Sequence, residues 1–316
     1  MDAAFILSIR YAIFSHTRGM GHAATIEHFT FPGTKPGAKL LIFGAIHGDE
    51  LCGPIAIRKI MDQITSGKLV IQEGSVTFVP VANPEAHANN VRVHKENLNR
   101  VFKKTEHPDS YEAKLANELC NMVDEHDVLL DIHSSFVPAP SNVFVDYQTP
   151  ENLAFAKALN PEYLIFDWPA VYENNPFAFP AWTTDRYAHE AGKIGVLVEC
   201  GKHDDPKALQ LAEDAILRTL VHFKLVAPIL GLSAPTQEPS PVYMNSIFQR
   251  DSEGDVFTKA WSHLDAIPAG TCIAERASGE KIIAEHDSYI LFPKDYALPG
   301  GEWFYLGSSK WGIERL

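Results

Sequence analysis

Short apolar runs alternate with amphipathic segments over most of this 316-residue chain, from about residue 40 to residue 225. The apolar runs contain many β-branched residues, and the segments between them place apolar residues at helical spacing. This alternation predicts an α/β fold in which flanking helices cover a mostly parallel central sheet. The predicted strands are residues 40–44, 76–81, 128–132, 143–145 and 194–199, and the predicted helices are residues 54–65, 110–123, 151–159 and 207–223.

The composition changes near residue 227, where a proline-rich stretch begins that extends to residue 241. Strand-like pieces separated by glycine-containing turns lie beyond it, at residues 271–274, 281–284 and 289–292. We therefore predict an α/β domain over residues 1–230 and a small all-β domain over residues 231–316. Residues 168–182 contain three prolines and are predicted to form a loop.

The charge and the cysteines exclude several classes of protein. The formal net charge of −13 argues against nucleic acid or an anionic membrane as a partner, since both attract basic proteins. The four cysteines are scattered without C-x-x-C spacing, so we expect reduced thiols and a cytoplasmic location. Residues 1–10 show neither a basic segment nor a cleavage site, and we expect no secretory signal there.

The predicted strand at residues 40–44 ends in a loop that places His47 and Glu50 three residues apart. An imidazole nitrogen and a carboxylate oxygen are donors that Zn²⁺ prefers, and residues at this spacing can converge on one ion. Gly44 and Gly48 allow the backbone to fold closely around such an ion. By itself, a His-x-x-Glu pattern is common and unspecific.

A second histidine, His133, follows the predicted strand at residues 128–132. Open α/β sheets place their ligand crevice at such carboxyl ends of strands. Two neutral imidazoles and the Glu50 carboxylate form a three-ligand set that leaves one coordination position for water. Asp131 either hydrogen-bonds a ligand imidazole or stays within the loop. For His133 alone, the alternative is a histidine at a strand end whose ring nitrogens are satisfied by hydrogen bonds and bind no metal.

Glu199 ends another apolar strand, where a carboxylate is costly to bury unless a cation or hydrogen bonds compensate it. Beside a metal-activated water, this carboxylate can take a proton and later return it to a leaving nitrogen. The alternative is a strand-end glutamate that pairs with an arginine or caps a turn. The next residue, Cys200, is predicted to point to the other face of the sheet.

One stretch departs from the acidic balance. Residues 92–104 carry five basic side chains and one acidic side chain, and five minus one gives a charge of +4. Asparagines and apolar residues interrupt the basic ones, so part of the stretch must pack. The planar guanidinium of arginine suits a carboxylate or a developing oxyanion. We interpret Asn99 and Arg100 as binders of a substrate carboxylate and Arg92 as the group that polarises a scissile carbonyl. A solvated basic surface is the alternative.

These residues belong to four motifs that cover about residues 40–205. The motifs are Gly44-Ala45-Ile46-His47-Gly48-Asp49-Glu50; Asn83-Pro84 followed by Arg92 and Asn97-Leu98-Asn99-Arg100-Val101-Phe102; Asp131-Ile132-His133; and Val196-Leu197-Val198-Glu199-Cys200-Gly201. In this order they resemble the succinylglutamate desuccinylase/aspartoacylase family, a branch of the zinc carboxypeptidase superfamily. The family commonly has Asn at the position of Asp49, Asp at that of Asn97, and His-Asn-Thr at that of His133-Ser134-Ser135. None of these departures removes a ligand or the base.

The resemblance implies a zinc-dependent hydrolase, with one Zn²⁺ per subunit, that cleaves the amide bond of a small anionic N-acyl amino acid. It implies a catalytic α/β domain of the zinc-carboxypeptidase type. The implied roles are zinc binding for His47, Glu50 and His133, general base for Glu199, carbonyl polarisation for Arg92, and carboxylate binding for Asn99 and Arg100. The acyl group, the amino acid and the formation of a homo-oligomer stay open.

Two other functions stay open on the sequence alone. A zinc carboxypeptidase that acts on peptides would be the rival among enzymes. A non-catalytic relative that binds a metal or a small molecule would keep the fold, although the presence of both Glu199 and Arg92 argues against it. The C-terminal β-rich region would gate the pocket, mediate assembly or only cover an exposed flank.

Overall fold

The computed structural model describes residues 26–173, 182–232, 235 and 238–310. The helices are α1 (Cys52–Thr65), α2 (Pro84–Ala88), α3 (Tyr111–Asp124), α4 (Pro150–Ala158), α5 (Trp168–Glu173), α6 (Thr184–Glu190) and α7 (Pro206–His222), with a 3-10 helix at Leu98–Arg100. The strands are β1 (Phe29–Pro32), β2 (Lys35–Gly44), β3 (Glu73–Val79), β4 (Val128–Ser135), β5 (Asn142–Phe144), β6 (Tyr163–Phe166), β7 (Ile194–Lys202), β8 (Ser240–Gln249), β9 (Val256–Phe257), β10 (Asp265–Ile267), β11 (Cys272–Glu275), β12 (Lys281–Ile283), β13 (Ser288–Leu291) and β14 (Glu302–Ser308). Within these ranges, no helix is both long and apolar enough to cross a membrane. Residues 1–10, where we expect no secretory signal, lie outside the described residues. Part of the proline-rich stretch also lies outside them.

Eleven of the described strands form one sheet in the order β1-β3-β2-β4-β7-β5-β6-β8-β14-β13-β10, and β12, β11 and β9 form a small second sheet. Neighbouring strands are parallel from β3 through β2 and β4 to β7, and again from β5 through β6 to β8. The remaining neighbours in the large sheet, including β5 against β7, are antiparallel. The sheet is therefore mixed, and the predicted parallel character holds only for these two stretches.

Every strand and helix predicted between residues 40 and 225 is present, with ends that differ by a few residues. Local signals explain the agreement. Asp205 caps α7 by accepting a hydrogen bond from the backbone N–H of Lys207. Pro206 occupies the first turn, where a helix needs no backbone donor.

The loop predicted over residues 168–182 is wrong at its start, because α5 occupies Trp168–Glu173. Pro169 stands in the first turn of this helix, where its missing N–H breaks no hydrogen bond. Trp168 and Tyr172 lie one turn apart and are both buried, so the packing of their rings favours a helix. Residues 174–181 lie outside the described part of the chain.

The region from residue 238 to residue 310 contains strands and, as described, no helix, which agrees with the predicted all-β content. Four of its strands, β8, β14, β13 and β10, extend the large sheet beyond β6. Tyr305 and Phe292 from this region pack with Phe144 and Trp168 of the preceding part. The division of the chain into domains at residue 230 stays a prediction.

Each face of the large sheet carries a hydrophobic cluster. Along β2, Leu40 and Ile42 pack with α1 and α7 on one face, and Leu41 and Phe43 pack with α3 on the other. The strand reads as a continuous apolar run because it is buried on both faces. Cys200 joins the first of these clusters, away from the cavity that Glu199 lines, as predicted. The four cysteines are free thiols.

Candidate active site

Three neighbouring parallel strands bring predicted site residues to one edge of the sheet. His47 follows β2, His133 lies on β4 and Glu199 lies on β7, and these strands are adjacent in the order β2-β4-β7. His133 and Glu199 are direct partners in the register of β4 with β7. All three side chains are buried, and all three line one cavity. The carboxyl ends of parallel strands therefore form the site, as open α/β sheets allow.

The loop after β2 is packed tightly against the segment that follows β3. The amide of Gly48 donates to the carbonyl of Arg92, and a Cβ at residue 48 would lie 2.1 Å from the backbone carbonyl carbon of Ala86. Only glycine therefore fits at this close approach. In this turn the side chains of His47 and Glu50 meet, with Nδ1 of the histidine 2.8 Å from a carboxylate oxygen.

The side chains of His47, Glu50 and His133 form a group that could hold a metal ion. The Nδ1 atoms of the two histidines lie 3.1 Å apart. The carboxylate oxygens of Glu50 lie 2.8 Å from the first of these nitrogens and 3.0 Å from the second. Around a tetrahedral zinc ion with bonds of about 2.0–2.1 Å, ligand atoms lie about 3.3 Å apart. The donor atoms therefore fit zinc both in their chemistry and, nearly, in their spacing.

The other ring nitrogens of the two histidines are fixed by hydrogen bonds. Nε2 of His133 lies 2.8 Å from Oδ2 of Asp131, and the same oxygen accepts from the Thr184 hydroxyl at 2.6 Å. Nε2 of His47 lies 3.1 Å from Oδ1 of Asn97. Asp131 therefore hydrogen-bonds the imidazole of a candidate ligand and does not stay within the loop, which was the other option from the sequence. With an N–H on each Nε2, the lone pairs of both Nδ1 atoms face the centre of the group.

Removal of the Asp131 carboxylate is expected to weaken metal binding. In Asp131→Ala, His133 loses the acceptor that orients its ring, and we expect metal affinity to fall about 10- to 100-fold. Competition with a chelating dye measures this affinity. Thr184→Val is the matched control, because it removes one hydrogen bond to Asp131 and leaves the carboxylate in place. Unchanged affinity in a folded Asp131→Ala protein would show that the contact does not support a metal site.

The electrostatic surroundings favour a neutral His47 beside an ionised Glu50. Burial, together with the nearby charge of Arg92, lowers the pKa of His47 from 6.5 to about 3. Burial alone would raise the pKa of Glu50, but the two imidazoles hold it well below its usual value. Burial alone would lower the pKa of His133, but the carboxylates of Asp131 and Glu50 raise it well above 6.5. A bound cation would take the place of the proton on this imidazole.

Glu199 presents an oxygen, Oε2, that has no hydrogen-bond partner among the described residues. Burial and the charge of Glu50 raise its pKa from 4.5 to about 8, although His133 and Arg92 act in the opposite direction. A buried carboxyl oxygen without a hydrogen-bond partner costs free energy unless a ligand or a cation compensates it. Its position on the cavity wall is compatible with the predicted general base, which stays a prediction.

The three residues predicted to contact substrate line the same cavity as the metal-ligand candidates. Arg92 donates from Nη1 to Glu50 at 2.8 Å, so one of its N–H groups is already engaged. Asn99 is buried, and its Oδ1 accepts from a backbone N–H at 3.0 Å. Arg100 lies with its guanidinium 5.3 Å from the centroid of the Trp168 ring. The structure brings the three together, and their roles stay predictions.

The cavity is also lined by residues at positions that the sequence pattern does not identify as candidates. Phe144, Phe292 and Trp168 form an apolar wall of the cavity. The rings of Phe144 and Phe292 are nearly parallel, with centroids 5.9 Å apart, and the Trp168 ring is perpendicular to that of Phe292. Lys294 and Tyr305 line the cavity from the C-terminal strand region. This region therefore contributes to the cavity wall. No local signal identifies these residues, because only the pairing of distant strands brings them here.

Two further polar contacts adjoin the cavity. Oγ of Ser134 lies 2.8 Å from Nδ1 of His203. Asp146 and Asp185 share a hydrogen bond, and burial together with the charge of Asp185 raises the pKa of Asp146 well above its usual value. A hydrogen bond between two carboxyl groups requires a proton on one of them, and the raised pKa of Asp146 favours that proton. These residues are far apart in the sequence, and no motif links them.

The sequence profile described as "Succinylglutamate desuccinylase/Aspartoacylase catalytic domain" matches residues 36–223. An N-alpha-acetyl-L-2,4-diaminobutyric acid deacetylase from Halomonas elongata is 31% identical over 204 residues, which are 60% of this chain and 56% of that protein. An N-acyl-aromatic-L-amino acid amidohydrolase (carboxylate-forming) from Rattus norvegicus is 28% identical over 312 residues, which are 89% of this chain and 93% of that protein. The chain thus spans about half the length of the first relative and most of the second.

Solved structures share the fold. The product-bound ectoine utilization protein EutE from Ruegeria pomeroyi superposes with a TM-score of 0.70 at 19% identity, over 94% of this chain and 99% of that one. A succinylglutamate desuccinylase/aspartoacylase from Rhodobacter sphaeroides superposes with a TM-score of 0.69 at 15% identity, over 90% of each chain. At these identities the similarity concerns the fold alone.

Proposed function

Because the chain belongs to the succinylglutamate desuccinylase/aspartoacylase family, we propose that it is a zinc-dependent hydrolase that cleaves the amide bond of a small N-acyl amino acid. The observation that carries the proposal is the convergence of His47, Glu50 and His133 in the cavity that Glu199 and Arg92 also line. The relatives support it, since their names describe a deacetylase and an amidohydrolase of N-acyl amino acids.

His47, Glu50 and His133 would hold the zinc ion, with one ion per chain. When bound, zinc supplies a Lewis acid that makes water easier to deprotonate and a carbonyl easier to attack. A charge of +2 and one carboxylate would leave the site at about +1. This positive charge would lower the pKa of Glu199 from its raised value, so that the carboxylate is ionised near neutral pH.

The side chains around the ligands would carry the proton and the substrate. Glu199 would take a proton from the attacking water through its unpartnered oxygen and return it to the leaving nitrogen. Arg92 uses one N–H for Glu50 and has further N–H groups for the oxygen of the scissile carbonyl, a contribution worth about 3–4 kcal/mol per donor in other enzymes. Asn99 and Arg100 would hold the substrate carboxylate and so fix the orientation of the amide.

The substrate panel that tests this function follows from the relatives and the cavity wall. It contains the N-acetyl and N-succinyl derivatives of aspartate, glutamate, phenylalanine and 2,4-diaminobutyrate. Phenylalanine is included because Phe144, Trp168 and Phe292 offer aromatic surface to an aromatic side chain.

The proposed function requires that the zinc-loaded chain hydrolyses at least one compound of the panel, and that a chelator abolishes the activity reversibly. Faster cleavage of N-blocked dipeptides at their C-terminal peptide bond would favour the carboxypeptidase alternative. A chain that binds zinc and hydrolyses neither class would be the non-catalytic relative.

A further inference from the structure

Two cations on the cavity wall share one carboxylate. Lys294, which follows β13, donates from Nζ to Oε2 of Glu302 at 2.8 Å. Nε of Arg100 lies 3.8 Å from Oε1 of the same carboxylate. Lys294 and Arg100 line the cavity, whereas Glu302 is not part of its lining. Two basic residues that line the cavity are therefore paired with one carboxylate that does not line it.

A third contact holds Glu302 in place. The hydroxyl of Tyr172 donates to Oε1 of Glu302 at 2.5 Å and lies 2.6 Å from the hydroxyl of Tyr305. Burial alone would raise the pKa of Glu302, but Arg100 and Lys294 hold it well below its usual value. Glu302 is therefore an anion, and Tyr172, Lys294 and Arg100 together engage both of its oxygens.

The charges on this part of the wall do not cancel. Two cations and one anion leave a net charge of +1. Burial lowers the pKa of Lys294, and the charges of Arg100 and Arg92 lower it further, while Glu302 raises it. An ammonium group has three N–H donors, of which Glu302 takes one. A second carboxylate, placed in the cavity, would find free donors and would relieve the repulsion among the cations.

We propose that Lys294 and Arg100 together bind the carboxylate of the N-acyl amino acid, and that Glu302 is the positioning residue that holds both cations for it. The inference rests on the proposed function and adds a residue from the C-terminal strand region to the binding set. A substrate with a free carboxylate is then preferred to the same compound with a carboxamide, because charge-assisted hydrogen bonds are the stronger ones.

The test compares Lys294→Met with the unaltered chain, both zinc-loaded and full-length. The paired probes are the N-acetyl derivatives of aspartate, phenylalanine and 2,4-diaminobutyrate and their C-terminal amides. For the best acid, we expect kcat/KM to fall about 10- to 100-fold, mainly through KM, with little change for its amide. Lys294→Arg is expected to restore part of the preference. Lys157→Met is the matched control, since Lys157 pairs with Glu238 at the surface.

Calorimetric binding of the same probes to Glu199→Gln and Glu199→Gln/Lys294→Met proteins provides a readout that needs no turnover. Equal losses for acid and amide, or no loss, would give Lys294 a structural role and overturn the inference. The absence of any preference for acids in the unaltered chain would overturn it too. A selective loss of acid binding, combined with an unaltered, zinc-loaded chain that hydrolyses no compound of the full panel, would uphold the carboxylate site and refute the proposed function.

Discussion

Replacing Glu199 with glutamine is expected to lower kcat for amide hydrolysis by roughly 10²- to 10⁴-fold, the contribution typical of a positioned general base. Glutamine keeps the size of the side chain but cannot accept a proton from water. The bound metal is expected to stay, because the candidate donor group consists of His47, Glu50 and His133. Steady-state kinetics and metal analysis on the same preparation measure both effects.

Glu213→Gln serves as the control for this substitution, because Glu213 pairs with Lys59 away from the cavity. It is expected to leave kcat unchanged. A Glu199→Gln protein with kcat within a few-fold of the unaltered chain would exclude the general base. Loss of the metal together with activity would instead make Glu199 a ligand.

The double substitution His47→Ala/His133→Ala is expected to remove nearly all bound zinc and, with it, the hydrolytic activity. Two of the three donor side chains are lost, and the remaining carboxylate of Glu50 cannot hold the ion alone. Metal content after dialysis, measured by mass spectrometry, gives the number of ions per chain. Circular dichroism shows whether the variant is folded.

His126→Ala is the control for the loss of a histidine. His126 contacts the carbonyl of Met122 and the hydroxyl of Thr77, outside the candidate metal group. This variant is expected to keep one zinc ion per chain. One zinc ion per chain in the folded His47→Ala/His133→Ala protein would refute the assignment of the site.

The centre of the candidate site could be predicted because its residues follow or end apolar strands. His47, His133 and Glu199 each stand near the carboxyl end of such a run, and the sheet brings the three ends together. Glu50 is in reach because a tight loop returns its side chain to His47. The position of each residue at a strand end can be recognised from its neighbours in the sequence. The α/β pattern then predicts that the carboxyl ends of the strands lie close together in the sheet.

The direction of strand pairing could not be predicted from the same pattern. A buried strand is an apolar run whether its neighbour is parallel or antiparallel. The sequence of β5 therefore does not indicate that this strand pairs with β7 in the antiparallel direction. The attachment of β8 to β6 likewise depends on pairing across the proline-rich stretch. For this reason, most strands of the predicted C-terminal all-β region continue the central sheet.

The C-terminal contribution to the cavity is also a long-range effect. Tyr172 and Glu302 are 130 residues apart in the sequence and are joined by a hydrogen bond. Arg100 lies in the basic stretch and Lys294 follows β13, yet both contact the carboxylate of Glu302. No spacing rule relates these positions, so they become visible only when the fold places them together.

The most direct test of zinc-dependent amide hydrolysis is a titration. Metal-free chain is titrated with zinc while hydrolysis of the best panel substrate is followed. We predict negligible activity without metal and a rise that ends at one equivalent of zinc per chain. Full activity in the metal-free chain, unaffected by added zinc, would contradict the proposed metal site and the mechanism built on it.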